Sequence, residues 1–177
     1  MLPTNILKVL YHTLVESYIS YGLLVWGNST HINTLVTLQK RALRIICNKP
    51  YRAHTDPLFR LHGILKLQDL YELQILLFMF DYKQARLPRS FENCFTLNSD
   101  NINRVTRRSG LFYTSKPRTN FSARLPTNIF LKTWNNYAKN IDHFNTRNGL
   151  KAYLKSHFLS TYQTDIKCNN PYCMSCR

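Results

Sequence analysis

The sequence predicts a mainly α-helical protein, built as a helical bundle with a long basic loop and a C-terminal helical pair. Apolar residues recur three and four positions apart over several segments, which is the spacing of a buried helix face. Proline and small polar residues stand where these segments begin and end. Hydrophobic residues make up 44% of the 177 positions, which is enough to bury a core.

The first predicted helix runs from Asn5 to Val25. Thr4 or Asn5 can cap its start, and the turn-forming residues 27–30 end it. The spacing of its apolar residues predicts one buried face, formed by Ile6, Leu7, Leu10, Leu14, Tyr18 and Tyr21.

The second predicted helix runs from about residue 31 to residue 47 and has two different faces. We expect Lys40, Arg41 and Arg44 to form one cationic patch, because side chains three and four residues apart are neighbours on a helix. An ordinary solvated helix face is the alternative interpretation of these three cations. The buried face is predicted to contain Ile32, Leu35, Val36, Leu43 and Ile46.

Four further helices are predicted downstream. Thr55-Asp-Pro57 starts one of them with a cap and a proline in the first turn. Residues 67–85 form a longer helix that is apolar on more than one side, which predicts burial between other helices. The last two cover residues 127–140 and 145–162 and make up the C-terminal helical pair.

The region between the bundle and the helical pair is rich in Asn, Ser, Thr and Arg and is predicted to be partly irregular. Within it, Leu111-Phe-Tyr113 is expected to be a short strand or an anchor. The chain is therefore predicted to consist of a bundle at 1–86, a basic loop at 87–126, the helical pair at 127–163 and a Cys-containing tail at 164–177.

Charge is strongly and unevenly positive. The chain contains 24 Lys and Arg against 9 Asp and Glu, a formal net charge of +15. Residues 101–177 alone contain 13 basic and 2 acidic side chains, a net charge of +11. This excess predicts a polyanionic partner, because clustered cations release condensed counterions when they neutralise phosphates.

Aromatic residues are interleaved with the cations of the basic loop. Phe112, Tyr113 and Phe121 could stack on unpaired bases while the cations meet phosphates, which is what a segment that binds single-stranded nucleic acid or RNA needs. Alternatively, the aromatics anchor the loop and the cations stay in solvent. The candidate phosphate contacts in this loop are Arg104, Arg107, Arg108, Lys116, Arg118 and Arg124.

Several segments together carry a family resemblance. They are Tyr18-Ile-Ser-Tyr-Gly-Leu-Leu-Val-Trp-Gly27, Gln39-Lys-Arg-Ala-Leu-Arg-Ile-Ile46, His54-Thr-Asp-Pro-Leu-Phe59 and Leu65-Lys-Leu-Gln-Asp-Leu-Tyr-Glu-Leu-Gln74. In that order and spacing they resemble the thumb and post-thumb region of reverse transcriptases from jockey- and CR1-like non-LTR retrotransposons, mobile elements of the LINE type. The distal part of the same region is similar to Lys116-Pro-Arg-Thr-Asn120 and Trp134-Asn135.

The resemblance implies a thumb-like helical bundle that packs beside a palm and grips RNA, DNA or a hybrid duplex without reading its sequence. Lys40, Arg41 and Arg44 match the family's basic helix. The palm's catalytic aspartates, which hold two metal ions, lie N-terminal to the matched region, and no two of the six aspartates here are adjacent. We therefore expect no RNA-directed DNA polymerase activity and no catalytic cofactor in this chain alone, and a palm domain as a candidate partner.

Three cysteines crowd the C-terminal tail. Cys168, Cys173 and Cys176 resemble part of a zinc knuckle, in which thiolates hold a structural zinc ion. A closed site needs a fourth ligand, for which His157 is a candidate, and an incomplete set binds zinc far less well. Free thiols in the tail are the alternative.

No apolar run approaches the ~20 residues that span a bilayer, so no membrane partner is expected. Five cysteines do not form the even set of a secreted disulfide framework, which predicts an intracellular protein of the cytoplasm or nucleus. Two alternatives to nucleic-acid binding stay open at this point: a helical protein-interaction module, and a degenerate remnant of an element with no activity.

Overall fold

A computed structural model of the chain describes residues 2–101 and 110–162. Within these ranges there is no β-strand beyond an isolated bridge between Leu97 and Phe112, so the predicted mainly helical class is confirmed. The helical elements are α1 (Thr4–Leu10), a π-helical segment (Tyr11–Glu16), α2 (Ser17–Ser20), α3 (Leu23–Trp26), α4 (Ile32–Ile46), α5 (Asp56–His62), α6 (Leu67–Lys83), a 3₁₀ turn (Arg89–Phe91), α7 (Asn98–Asn101), α8 (Asn120–Ala123), α9 (Pro126–Ile141) and α10 (Arg147–Thr161).

The chain divides into two compact units. Unit 1 contains Met1–Tyr71 and Tyr153–Arg177, and unit 2 contains Glu72–Ala152. This is a different division from the four segments predicted from the sequence, which stay a prediction. In the parts of the chain that the structure describes, no helix combines the length and the apolar character needed to cross a bilayer.

The core of unit 1 forms where the N-terminal helices meet α4, α5 and the start of α6. Leu23, Leu43 and Phe59 are fully buried there. Gly27 belongs to this packing, because a Cβ at this position would lie only 2.4 Å from Cδ2 of Tyr71. A side chain of any size at residue 27 would therefore force the helices apart.

The predicted buried face of the first helix is wrong, since five of its six residues are exposed and the sixth, Leu7, is half-buried. Two adjacent rows of apolar residues run along this segment at four-residue intervals, and the buried one contains Tyr11, Ile19 and Leu23. The other, which we name the outer apolar row, lies in solvent: Ile6, Leu10, Leu14 and Tyr18 are 47%, 39%, 57% and 80% exposed. Tyr21 is also 84% exposed.

The first helix is also not continuous, although the sequence predicts one helix over residues 5–25. Residues Tyr11–Glu16 form a π-helical segment, and the chain bends at Gly22, whose φ of 62° is left-handed. The wider π-helical turn compensates the drift of i,i+4 rows in an α-helix, so both apolar rows stay aligned. Glycine at residue 22 allows the bend without the steric cost of a Cβ.

Unit 2 is built around an aromatic cluster. The ring of Phe112 packs on Trp134 with centroids 6.3 Å apart, and Trp134 is 1% exposed. The side-chain amide of Asn135 holds the backbone of Phe112 at both ends, with its Nδ2 2.9 Å from the carbonyl oxygen and its Oδ1 3.0 Å from the amide nitrogen. Residues 111–113 are therefore the anchor that the sequence predicts as one of two possibilities.

Tyr162 follows the C-terminal end of α10 and holds it within unit 1 by hydrogen bonds. Its hydroxyl donates to Asp69 and accepts from the backbone N–H of Lys66 at 3.0 Å. Arg60 Nη1 donates to the Tyr162 carbonyl at 3.2 Å. Burial and the neighbouring Asp69 carboxylate raise the pKa of the Tyr162 phenol, so the hydroxyl keeps the proton that it donates.

Candidate nucleic-acid interface

Helix α4 is positioned by a buried glutamine. Gln39 is 1% exposed, and its Nε2 donates to the Tyr11 hydroxyl and to the Leu65 carbonyl, each at 2.9 Å. Its Oε1 accepts from the backbone N–H of Leu67 at 3.0 Å. These three bonds fix the rotation of α4 about its axis. Burial raises the pKa of the Tyr11 phenol to about 12, so its hydroxyl stays protonated. The cations next to Gln39 are thereby held on a defined face.

The three predicted cations of α4 lie together as expected from their spacing, which defines the α4 patch as Lys40, Arg41 and Arg44. Arg41 is exposed, while Lys40 and Arg44 are half-buried. Arg44 Nε donates to the carbonyl oxygen of Ala53 at 2.9 Å, which ties the patch to the segment after the helix.

A tyrosine ring completes this surface. The Cζ atoms of Arg41 and Arg44 lie 5.5 and 5.7 Å from the centroid of the Tyr51 ring. At these distances each guanidinium is attracted to the electron-rich face of the ring. Tyr51 itself is 66% exposed. Tyr51 is not among the residues predicted from the sequence, although it follows closely after a cationic helix.

No carboxylate lies near the α4 patch along the chain. Residues 17–55 contain Lys40, Arg41, Arg44, Lys49 and Arg52 and no Asp or Glu. Among the described residues, no ion pair involves any member of the patch. Cations that are not already neutralised by carboxylates release the most counterions when they meet phosphate.

The described part of the basic loop belongs to unit 2. Lys116, Arg118 and Arg124 are exposed there. Of the interleaved aromatics, Phe112 is 3% exposed and serves as the anchor, whereas Phe121 is 77% exposed. Phe112 therefore serves as an anchor, while base stacking by the exposed aromatics of this loop stays a prediction. Three of its predicted cations, Arg104, Arg107 and Arg108, lie outside the described residues.

The predicted zinc ligands Cys168, Cys173 and Cys176 also lie outside the described residues. The fourth candidate, His157, lies on α10 with its ring stacked on Tyr153 at a centroid distance of 6.1 Å. In the described ranges, no three His, Cys, Asp or Glu side chains are grouped so that they could hold a metal ion. Zinc binding by the tail stays a prediction.

Comparison of the chain with protein-family models, with curated proteins and with solved structures gives no match.

Proposed function

We propose that this chain binds nucleic acid, with the α4 patch contacting the phosphate backbone. The observation that carries the proposal is the carboxylate-free stretch of residues 17–55, in which Gln39 holds the three cations of the patch on one helix face. A guanidinium held in a fixed position can donate two parallel hydrogen bonds to two oxygens of one phosphate. Such contacts position a nucleic acid without reading its sequence.

The resemblance to non-LTR reverse transcriptases supports the same role. In that setting the chain is a catalytically incomplete thumb and post-thumb region, and the α4 patch contacts a template–primer duplex or element RNA. The exposed loop cations Lys116, Arg118 and Arg124 are candidates for further phosphate contacts in unit 2. No catalytic step is assigned to this chain.

The proposal is tested by the salt dependence of binding. Fluorescence anisotropy with a labelled RNA, a DNA duplex and an RNA–DNA hybrid of equal length is expected to give affinities that fall steeply with salt. For duplex DNA, the slope of log K against log salt is about −0.9 for each phosphate neutralised. Absence of binding at low salt, or binding that does not respond to salt, would contradict the proposal.

A second candidate function is supported by the outer apolar row. Its four side chains lie in solvent on a segment whose charged residues, Lys8 and Glu16, cancel within a chain of net charge +15. Contiguous exposed apolar surface of this kind is typical of protein contacts. We propose that it packs against a palm domain, which is the neighbour of the thumb in the family that the chain resembles.

A pair of matched leucine changes tests the second candidate. Leu14 lies in the outer apolar row and is 57% exposed, whereas Leu61 lies outside it on α5 and is 76% exposed. Leu14→Lys is expected to weaken association with a palm domain of a related reverse transcriptase about tenfold or more, because it places a charge in an apolar contact. Leu61→Lys should leave it unchanged. Equal effects of both changes in analytical ultracentrifugation would count against this contact.

A further inference from the structure

The backbone on both sides of Tyr51 is held by hydrogen bonds. The turn after α4 passes through Asn48, whose φ is 48°, and the Lys49 N–H donates to the Arg44 carbonyl at 2.9 Å. On the far side of Tyr51, the Ala53 N–H donates to the Pro50 carbonyl at 3.0 Å, and the Ala53 carbonyl accepts from Arg44 Nε at 2.9 Å. The ring is therefore presented by a closed turn.

Both cations reach the Tyr51 ring from α4. Arg41 and Arg44 are three residues apart and so lie on one side of that helix. They support the ring from the helix side, at 5.5 and 5.7 Å from its centroid, and leave it 66% exposed.

An exposed aromatic ring beside unneutralised cations has the two components that bind single-stranded nucleic acid. The ring offers a flat apolar surface on which a base can stack, and the cations meet the phosphates on either side of that base. Bases inside a duplex are already stacked on their neighbours and cannot reach such a ring, whereas an unpaired base can. A patch that binds only through charge would not distinguish an unpaired base from a base in a duplex.

We propose that Tyr51, supported by Arg41 and Arg44, is a stacking platform for one unpaired nucleobase. The α4 patch would then prefer single-stranded nucleic acid, or a duplex with an unpaired nucleotide, over a fully paired duplex. This inference rests on the proposed function and specifies its ligand. The stacked base need not be of one kind, since every base has a face that can stack.

The test uses the full chain, a labelled single strand and the blunt duplex that contains the same strand. Tyr51→Leu removes the ring and keeps apolar volume, and Tyr51→Phe keeps the ring. Tyr51→Leu should weaken single-strand binding roughly 5- to 150-fold, which corresponds to the loss of one base–aromatic stack. Tyr51→Phe should bind as the wild type does, and neither change should alter the affinity for the blunt duplex.

The outcomes separate this inference from the proposed function. If wild type and Tyr51→Leu bind the single strand equally while salt still weakens both, the platform is refuted and phosphate binding stands. The platform is also refuted if Tyr51→Leu weakens strand and duplex by the same factor, because the ring then acts only by positioning Arg41 and Arg44. If the wild type binds neither nucleic acid, the proposed function itself fails.

Discussion

Reversing the charge of the α4 patch, by changing Lys40, Arg41 and Arg44 together to glutamate, is expected to weaken nucleic-acid binding on the order of 1000-fold or more. An exposed cation contributes about 1 kcal/mol to such a contact, and a carboxylate in its place repels phosphate by a similar amount. Three reversals therefore remove several kcal/mol, with each 1.4 kcal/mol equal to a tenfold change in affinity. Anisotropy titration at low salt measures the loss.

A matched reversal shows whether the position of the charge matters. Lys132, Lys139 and Lys151 are exposed on α9 and α10, and their change to glutamate alters the net charge by the same amount. This control should lose far less affinity than the patch variant. Equal losses would mean that binding depends on net charge alone and would contradict the assignment to α4.

Folding of the patch variant must be checked separately, because Arg44 also donates to the Ala53 carbonyl. Arg41→Glu alone leaves that bond intact and should still weaken binding by about tenfold or more. An unchanged helical circular dichroism signal for Arg41→Glu, combined with weaker binding, assigns the loss to the interface. Loss of binding only in variants that unfold would not support a phosphate contact.

The second large effect is expected from Gln39→Leu, which should destabilise the fold by about 3 kcal/mol or more. The change leaves the Leu67 N–H, the Leu65 carbonyl and the Tyr11 hydroxyl without their present partner. A buried polar group that loses its hydrogen bond costs about 1–3 kcal/mol. Urea unfolding followed by circular dichroism measures the change in the free energy of unfolding.

A nearby glutamine provides the control. Gln68 is exposed at the start of α6, and Gln68→Leu should change stability by less than about 0.5 kcal/mol. Coincident unfolding curves for Gln39→Leu and wild type would refute the anchoring role.

The helices of this protein are predictable because each has the spacing and end signals of an amphipathic segment. The predicted 127–140 and 145–162 correspond to Pro126–Ile141 and Arg147–Thr161. The spacing of apolar residues does not predict which of two adjacent apolar rows on the first helix faces the core. Residues 6, 10, 14 and 18 and residues 11, 15, 19 and 23 both repeat at intervals of four, and only tertiary contacts decide that the second set faces the core.

The roles of two polar side chains, in the segments that resemble the reverse-transcriptase family, could not be predicted from the sequence. Gln39 precedes the cations of α4, and Asn135 follows Trp134. The sequence does not indicate whether either side chain binds a ligand or the protein's own backbone. The structure shows Gln39 bonded to Leu67 and Leu65, and Asn135 bonded to Phe112. Gln39 thereby orients α4, which carries the α4 patch, and Asn135 holds the backbone of the basic loop at Phe112. Their partners are far apart in sequence, so no local pattern predicts the pairs.

The candidate site was predictable only in its charge. The i,i+3 and i,i+4 spacing of Lys40, Arg41 and Arg44 places them on one helix face, and the structure agrees. The contribution of Tyr51 depends on the turn at Asn48, which returns the chain beneath the two arginines. A turn of this kind is decided by backbone conformation and hydrogen bonds, which hydropathy does not report.

The number of phosphates contacted by the α4 patch tests the central claim most directly. The slope of log K against log salt is measured on duplex DNA for the wild type, for Lys40, Arg41 and Arg44 changed together to glutamine, and for Lys132, Lys139 and Lys151 changed likewise. The patch variant should have a slope shallower than wild type by about 2.7, since three phosphates at ~0.9 each are lost. The control variant should keep the wild-type slope. Equal slopes for the patch variant and the wild type would contradict the account.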